Sequence, residues 1–234
     1  DRAALRAEWG VPDDAVLLGC VARWNPLKDH GNLLAALALA VRECPQLRCA
    51  LIGLGMSCDN AELIALARHY GLLDHLIFLG RRDDVPLLMR ALDVHVLSSK
   101  AEGFPNVVSE AMASGVACVV TDVGDAADIV ADHGWVAPPQ DAAALGRAIV
   151  QAIAAVRDPR WPERREAARE SVARRYSLRT MVQRYETVWR RLAIDYPTSQ
   201  AGWRPAETMA AAADAGPHGA AFAGARPAPR LLFF

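Results

Sequence analysis

In the stretch Lys100–Gly115, which reads KAEGFPNVVSEAMASG, two glutamates, Glu102 and Glu110, stand eight positions apart. Gly103 and Pro105 lie between them, and a run of helix formers follows. Proline suits the first helical position, where the missing N–H costs no hydrogen bond, so a helix is expected to begin at Pro105. Glu102 then falls in the loop before the helix, and Glu110 inside it. The backbone N–H groups of Asn106, Val107 and Val108 would point the same way and offer a site for an anion such as phosphate. Two carboxylates beside such a site are placed to accept hydrogen bonds from sugar or ribose hydroxyls. Glutamates at a helix start are, taken alone, usually solvated charges. Here the flanking runs DVHVLSS and VACVVT are strand-like and apolar. They describe a helix joining two buried parallel strands, its N-terminus at the edge where open α/β sheets bind ligands.

Two cations belong to the same picture. Arg23 ends the strand-like run VLLGCVAR, and Lys28 follows in the loop WNPLKDHG, with Pro26 stiffening the turn between them. Both are candidates to face that helix start and neutralise a diphosphate, including a departing one in the transition state. Gly53 and Gly55 follow the next strand and allow close approach of backbone to a ligand. The third glycine of a dinucleotide fingerprint is absent, since Cys58 stands there, so the pair is equally consistent with a tight turn. Asp83 and Asp84 are adjacent rather than spaced by one and precede VPLLMRAL, which makes helix capping their expected task rather than metal binding. No metal site is expected elsewhere, because the histidines form no HExxH and pair with no cysteine. His30 lies next to Asp29 beside the Lys28 loop, but a ligand role for it has little support.

The elements that must position these groups alternate along the chain. Strands are expected at Val16–Arg23, Leu47–Gly53, Leu76–Gly80, around DVHVL, at Val116–Thr121 and near Trp135–Ala137, with helices between them and one from Asp141 to Val156. Six strands with helical crossovers imply a doubly wound, Rossmann-like parallel sheet. Residues 1–14 read as a linker or terminal helix, 15–175 as the sheet domain and 176–195 as a final helix. Residues 196–234, rich in Ala, Pro and Gly, read as a disordered tail. The 234 residues are 53% hydrophobic with a net charge of -1, a globular composition with no bias towards nucleic acid. There is no run of about 18 apolar residues that would span a membrane. The five cysteines are odd in number and include no CxxC, which fits a reducing compartment. The chain begins with Asp1 and reads as part of something longer.

The motifs ARWNPLKD, GLG, LGRRDDV, EGFPNVVSE and TDVG, in this order, resemble the C-terminal, donor-binding domain of the retaining glycosyltransferases of family 4, which have the two-domain GT-B architecture. The similarity spans about residues 15 to 192. The variants TDVGDAADIV and HGWVAPPQD are most similar to members that build bacterial surface polysaccharides. Relatives carry a second glycine and a glutamate where this chain has Asp125 and Asp128, which puts the shape of that loop in question.

The resemblance implies a role for each residue. Glu102 contacts donor-sugar hydroxyls near the reacting carbon, and Glu110 holds the ribose. Arg23 and Lys28 bind the diphosphate with the N–H groups of Asn106 and Val107, beside Gly103 and Phe104. Gly53, Gly55, Arg81 and Arg82 line the nucleotide, the last two through backbone beside the base. It also implies no cofactor and no essential metal: the donor is a nucleotide diphosphate sugar, a UDP-sugar ahead of a GDP-sugar. The acceptor is a glycan or lipid-linked molecule. The final helix, with Met181, Tyr185, Val188 and Leu192 at helical spacing, packs on an N-terminal domain that this chain does not contain. The expected compartment is the cytoplasm, with peripheral contact at the inner membrane face as a second option. Alone, the chain should bind nucleotide weakly and transfer nothing. The competing readings are a truncated, non-catalytic nucleotide-binding module and, less favoured, a nucleotide-sugar epimerase. A nicotinamide-dependent dehydrogenase ranks lower still.

Overall fold

A computed structural model of the chain describes residues 2–12 and 14–195; the expected disordered tail lies outside the described residues. Six strands form one parallel sheet: β1 (Leu17–Val21), β2 (Arg48–Ile52), β3 (Leu76–Gly80), β4 (Val94–Leu97), β5 (Ala117–Thr121) and β6 (Trp135–Ala137). Their order is β3-β2-β1-β4-β5-β6, the doubly wound arrangement, which reverses direction between β1 and β4. Helices α1 (Arg2–Glu8), α2 (His30–Glu43), α3 (Ala61–His69), α4 (Val85–Met89), α5 (Asn106–Ala113), α6 (Ala126–Val130), α7 (Ala142–Val156) and α8 (Trp161–Tyr176) cover the two faces. The sheet is thus the expected one.

The strands are continuous apolar runs because both of their faces are buried. Alternate residues feed two cores. Leu18, Cys20, Cys49, Leu51, Val94, Val96 and Val119 pack under α2, α3 and α7. Leu17, Ala50, Ile52, Leu97, Cys118 and Val120 pack under α4, α5, α6 and α8. Local signals set the helix starts: Asp29, Asn60 and Asp141 accept from the N–H groups of Asn32, Leu63 and Ala144 respectively. The expected cap before α4 does not form. Asp84 occupies the cap position but makes no cap hydrogen bond, because its carboxylate is held by the Arg82 guanidinium in a two-pronged pair at 2.8 and 2.7 Å.

The described residues up to Tyr176 form one compact unit, and those from Ser177 to Asp195 belong to a second. Helix α1 belongs to the first unit, tied in by Arg6, which donates to the carbonyls of Ala15 and Ala91 and pairs with Asp93. In the second unit α9 (Leu178–Asp195) begins at Ser177, whose hydroxyl accepts from the Thr180 N–H. The helix carries Val182, Tyr185, Val188 and Leu192 at three- and four-residue spacing, all exposed. Among the described residues no helix is long and apolar enough to cross a membrane.

One buried polar group sets a pH limit on this fold. His95 is fully buried in β4, between Gly19 and Cys118 in register, and neither ring nitrogen has a partner among the described residues. Burial pushes its pKa down from 6.5 to about 4. Cys118, the titratable neighbour in register, has its thiol pushed up by burial and stays neutral. The unfolded chain therefore binds a proton near pH 6.5 that the folded chain refuses until about pH 4, so stability is full above 6.5 and falls as pH is lowered through this window. His30, also buried and lowered to about 4, acts in the same direction. Melting curves across this range should show a steep decline, and His95→Leu should make it shallower, leaving the part due to His30. An unchanged slope in the variant would show that His95 does not contribute.

Candidate donor-binding site

The residues singled out above converge on the C-terminal edge of the sheet, and the convergence is centred where the strand order reverses. After β1 the chain passes Arg23 and Trp24 and makes a single 3₁₀ turn, Pro26–Lys28, capped by the Asn25 side chain. After β4 it runs through Ser98 and Ser99 to Glu102. The two segments meet: Lys28 Nζ lies 2.6 Å from Glu102 Oε1. Both side chains are mostly buried, at 24% and 12% exposure, so this pair is shielded from water and salt more than an ordinary surface pair.

Three hydroxyls that the motif reading passed over hold this pair in place. Ser99 Oγ donates to Glu102 Oε1 at 2.6 Å, and Ser98 Oγ donates to the Lys28 carbonyl at 2.8 Å. Thr121, at the end of β5, donates to the Ser99 carbonyl at 2.7 Å. All three side chains are buried. In sequence they look like turn-forming residues at strand ends, and only the pairing of β1, β4 and β5 shows what they bond.

The helix start differs slightly from expectation. Pro105 is the capping residue rather than the first helical one, and α5 begins at Asn106. The Val108 N–H is taken by the Pro105 carbonyl at 3.0 Å, which leaves the N–H groups of Asn106 and Val107 as the donors at the helix mouth. Glu110 sits one turn further on, half-buried, and burial raises its carboxyl pKa. No described side chain donates to it, so a ligand hydroxyl would supply a hydrogen bond that the protein leaves unmade. Arg23 is exposed and forms no ion pair among the described residues.

The glycines act differently from one another. Gly53 has φ +140°, and a Cβ there would lie 2.2 Å from the Ala22 carbonyl oxygen. At Gly55 a Cβ would lie 2.7 Å from the Trp24 Cβ. Both glycines are required by the chain's own packing, since they let the β2 loop lie against the end of β1. Gly103 has open space where a Cβ would be, with Phe104 beside it packed edge-on against Tyr176 at 5.3 Å. Gly124 is the tight position: its φ is +51°, and an added Cβ would stand 2.2 Å from the Gly103 oxygen and 2.5 Å from the Glu102 oxygen. The Asp125 N–H donates to that same Gly103 oxygen at 2.9 Å, so the loop in question after β5 is the floor under Glu102.

Arg81 and Arg82 follow the Gly80 end of β3 at the same edge. Arg82 is committed to Asp84, whereas Arg81 is exposed and lies 3.8 Å from Asp83. His30 is buried and stacked on Trp24 at 4.9 Å, and its Nε2 has no partner among the described residues. A cavity of about 510 Å³ lined by Arg2, Arg6, Asp93 and Arg157 lies at the opposite, N-terminal edge, where the Arg2 and Arg6 guanidinium groups are already tied to Asp93.

A doubly wound sheet with cations, helix N–H donors and carboxylates gathered at its reversal point is a nucleotide-binding α/β domain by architecture. Comparison with known proteins makes this specific. Residues 1–172 match the family described as Glycosyl transferases group 1. The chain is 28% identical over 192 residues to N-acetyl-alpha-D-glucosaminyl L-malate synthase of Bacillus anthracis, a match covering 81% of this chain and 49% of that protein. It is 36% identical over 117 residues to the putative glycosyltransferase EpsF of Bacillus subtilis, covering 50% of this chain and 30% of that one. Among solved structures, Anabaena Alr3699/HepE in complex with UDP superposes with a TM-score of 0.71 at 27% identity, over 82% of this chain and 52% of that one. The chain belongs to the group 1 glycosyltransferases and has the GT-B domain fold. It spans about half the length, or less, of these relatives.

Proposed function

We propose that this chain is the donor-binding half of a retaining glycosyltransferase that moves a sugar from a nucleotide diphosphate sugar to a glycan or lipid-linked acceptor of a bacterial surface polysaccharide. The observation that carries the reading is the meeting of Lys28 and Glu102 across the reversal point, at the mouth of α5. Lys28, exposed Arg23 and the N–H groups of Asn106 and Val107 bind the diphosphate. As the sugar–phosphate bond breaks, negative charge grows on the leaving diphosphate, and these preorganised donors stabilise it. Glu102 accepts hydrogen bonds from the sugar and fixes the reacting carbon against the leaving group. Glu110 accepts from the ribose. The loop through Gly80, Arg81 and Arg82 lies against the base. Uridine is favoured because the Anabaena relative was solved with UDP.

The acceptor side belongs to an N-terminal domain that α9 packs against through Met181, Tyr185, Val188 and Leu192, with exposed Val182 beside them. The chain alone therefore transfers no sugar, and the whole enzyme works in the cytoplasm or at the inner face of the membrane. The surface-polysaccharide assignment rests on the TDVGDAADIV and HGWVAPPQD variants.

The assignment of Glu110 to the ribose gives the test. In Glu110→Ala, UDP binding should weaken about tenfold, the loss of one or two hydrogen bonds to a charged acceptor. Binding of inorganic pyrophosphate, which has no ribose, should not change. Equal losses for both ligands would contradict the assignment.

A further inference from the structure

We propose that Lys28 is exchanged between two anions during turnover: it is latched to Glu102 when the site is empty and passes to the diphosphate when the donor enters. The inference rests on the donor-site reading above and goes beyond it by making phosphate binding and sugar recognition one coupled event. A single oxygen, Glu102 Oε1, accepts both Lys28 Nζ and Ser99 Oγ at 2.6 Å. The two anchors of this arrangement are independent. Ser98 holds the backbone of Lys28, and Ser99, itself fixed by Thr121, holds the carboxylate of Glu102. The Lys28 ammonium can therefore swing on its flexible stem while the backbone on one side and the carboxylate on the other stay in place.

The exchange has a chemical consequence. When the ammonium leaves for a phosphate oxygen, Ser99 keeps Oε1, and the Glu102 carboxylate loses its counter-charge close to a dianionic ligand. An intact donor relieves that cost, because its sugar hydroxyls donate to the carboxylate. Free nucleotide diphosphate has no hydroxyl to offer there and leaves Glu102 buried and unpaired. The latch thus favours the donor over the spent nucleotide and promotes release of the product, a step that limits many enzymes.

The test is the affinity of the chain for UDP, followed by NMR titration to reach weak binding, in the native protein, Glu102→Gln, Lys28→Met and the double variant. Removing the carboxylate charge should tighten UDP binding about fivefold, the worth of a partly shielded ion pair. In the Lys28→Met background the same substitution should change binding less than about twofold, since no pair remains to be broken. Simple repulsion between Glu102 and phosphate predicts the opposite ordering, with the larger gain where Lys28 is absent, and that ordering would overturn the exchange. Native protein that binds UDP with no gain in Glu102→Gln would also overturn it while leaving the donor-site reading intact. If no variant binds UDP, both fall together.

Discussion

Replacing Gly124 by alanine should cost the site at least tenfold in UDP binding while leaving the melting temperature within a few degrees of the parent. The residue is exposed and lies in a loop, so little core packing depends on it. An alanine must still adopt φ +51°, at a cost of about 1 kcal/mol, and its methyl group would overlap two carbonyl oxygens at 2.2 and 2.5 Å. Neither carbonyl can yield freely: they belong to Gly103 and Glu102, and the Gly103 oxygen is already bonded to the Asp125 N–H. The loop that carries Glu102 must move, and a displacement of about 1 Å is enough to lose a hydrogen bond made by a fixed carboxylate. Gly103→Ala is the control. It places a methyl group in open space one residue from Glu102, and should cost far less. Comparable losses for the two variants would remove Gly124 from its place under the site.

The second large effect is expected at Lys28. Lys28→Ala removes the partly buried cation that faces the diphosphate, whose place the exposed Arg23 cannot take. A charge-assisted hydrogen bond to a phosphate oxygen is lost in a site shielded from water, and UDP binding should fall about 100-fold, some 2.7 kcal/mol. Arg23→Ala deletes an exposed cation that shields no neighbouring acid, and should cost about tenfold or less. Calorimetric or NMR affinities for both variants check the ranking. A greater loss at Arg23 than at Lys28 would show that the ion pair is not the centre of the phosphate site.

Much of this arrangement was legible in the sequence because the decisive features are local or periodic. Buried parallel strands are unbroken apolar runs, and even His95 fits the run DVHVL without interrupting it. Turn residues placed the loops, so Lys28, Glu102 and Glu110 could be assigned to one edge before any coordinates. What was not legible is contact between loops. Ser98, Ser99 and Thr121 have the composition of ordinary turns, and their bonds to Lys28, Glu102 and one another depend on which strands are neighbours. The constraint on Gly124 comes from a loop 21 positions earlier. Gly53 and Gly55 read equally as a ligand approach or as a tight turn, and the crowding of Gly53 by the Ala22 carbonyl could not be read from the sequence. Local competition explains the smaller differences. Arg82 claims the Asp84 side chain that capping would have used, and Pro105 precedes the first helical turn instead of starting it.

The central claim is that the C-terminal edge of this sheet binds a nucleoside diphosphate between Lys28 and Glu110. Calorimetric titration of the chain with UDP, GDP and ADP, repeated on Lys28→Ala and Glu110→Ala, tests it most directly. The account predicts that UDP binds in preference to the other two and that both substitutions weaken it. Binding that neither substitution affects, or no binding of any of the three, would contradict it.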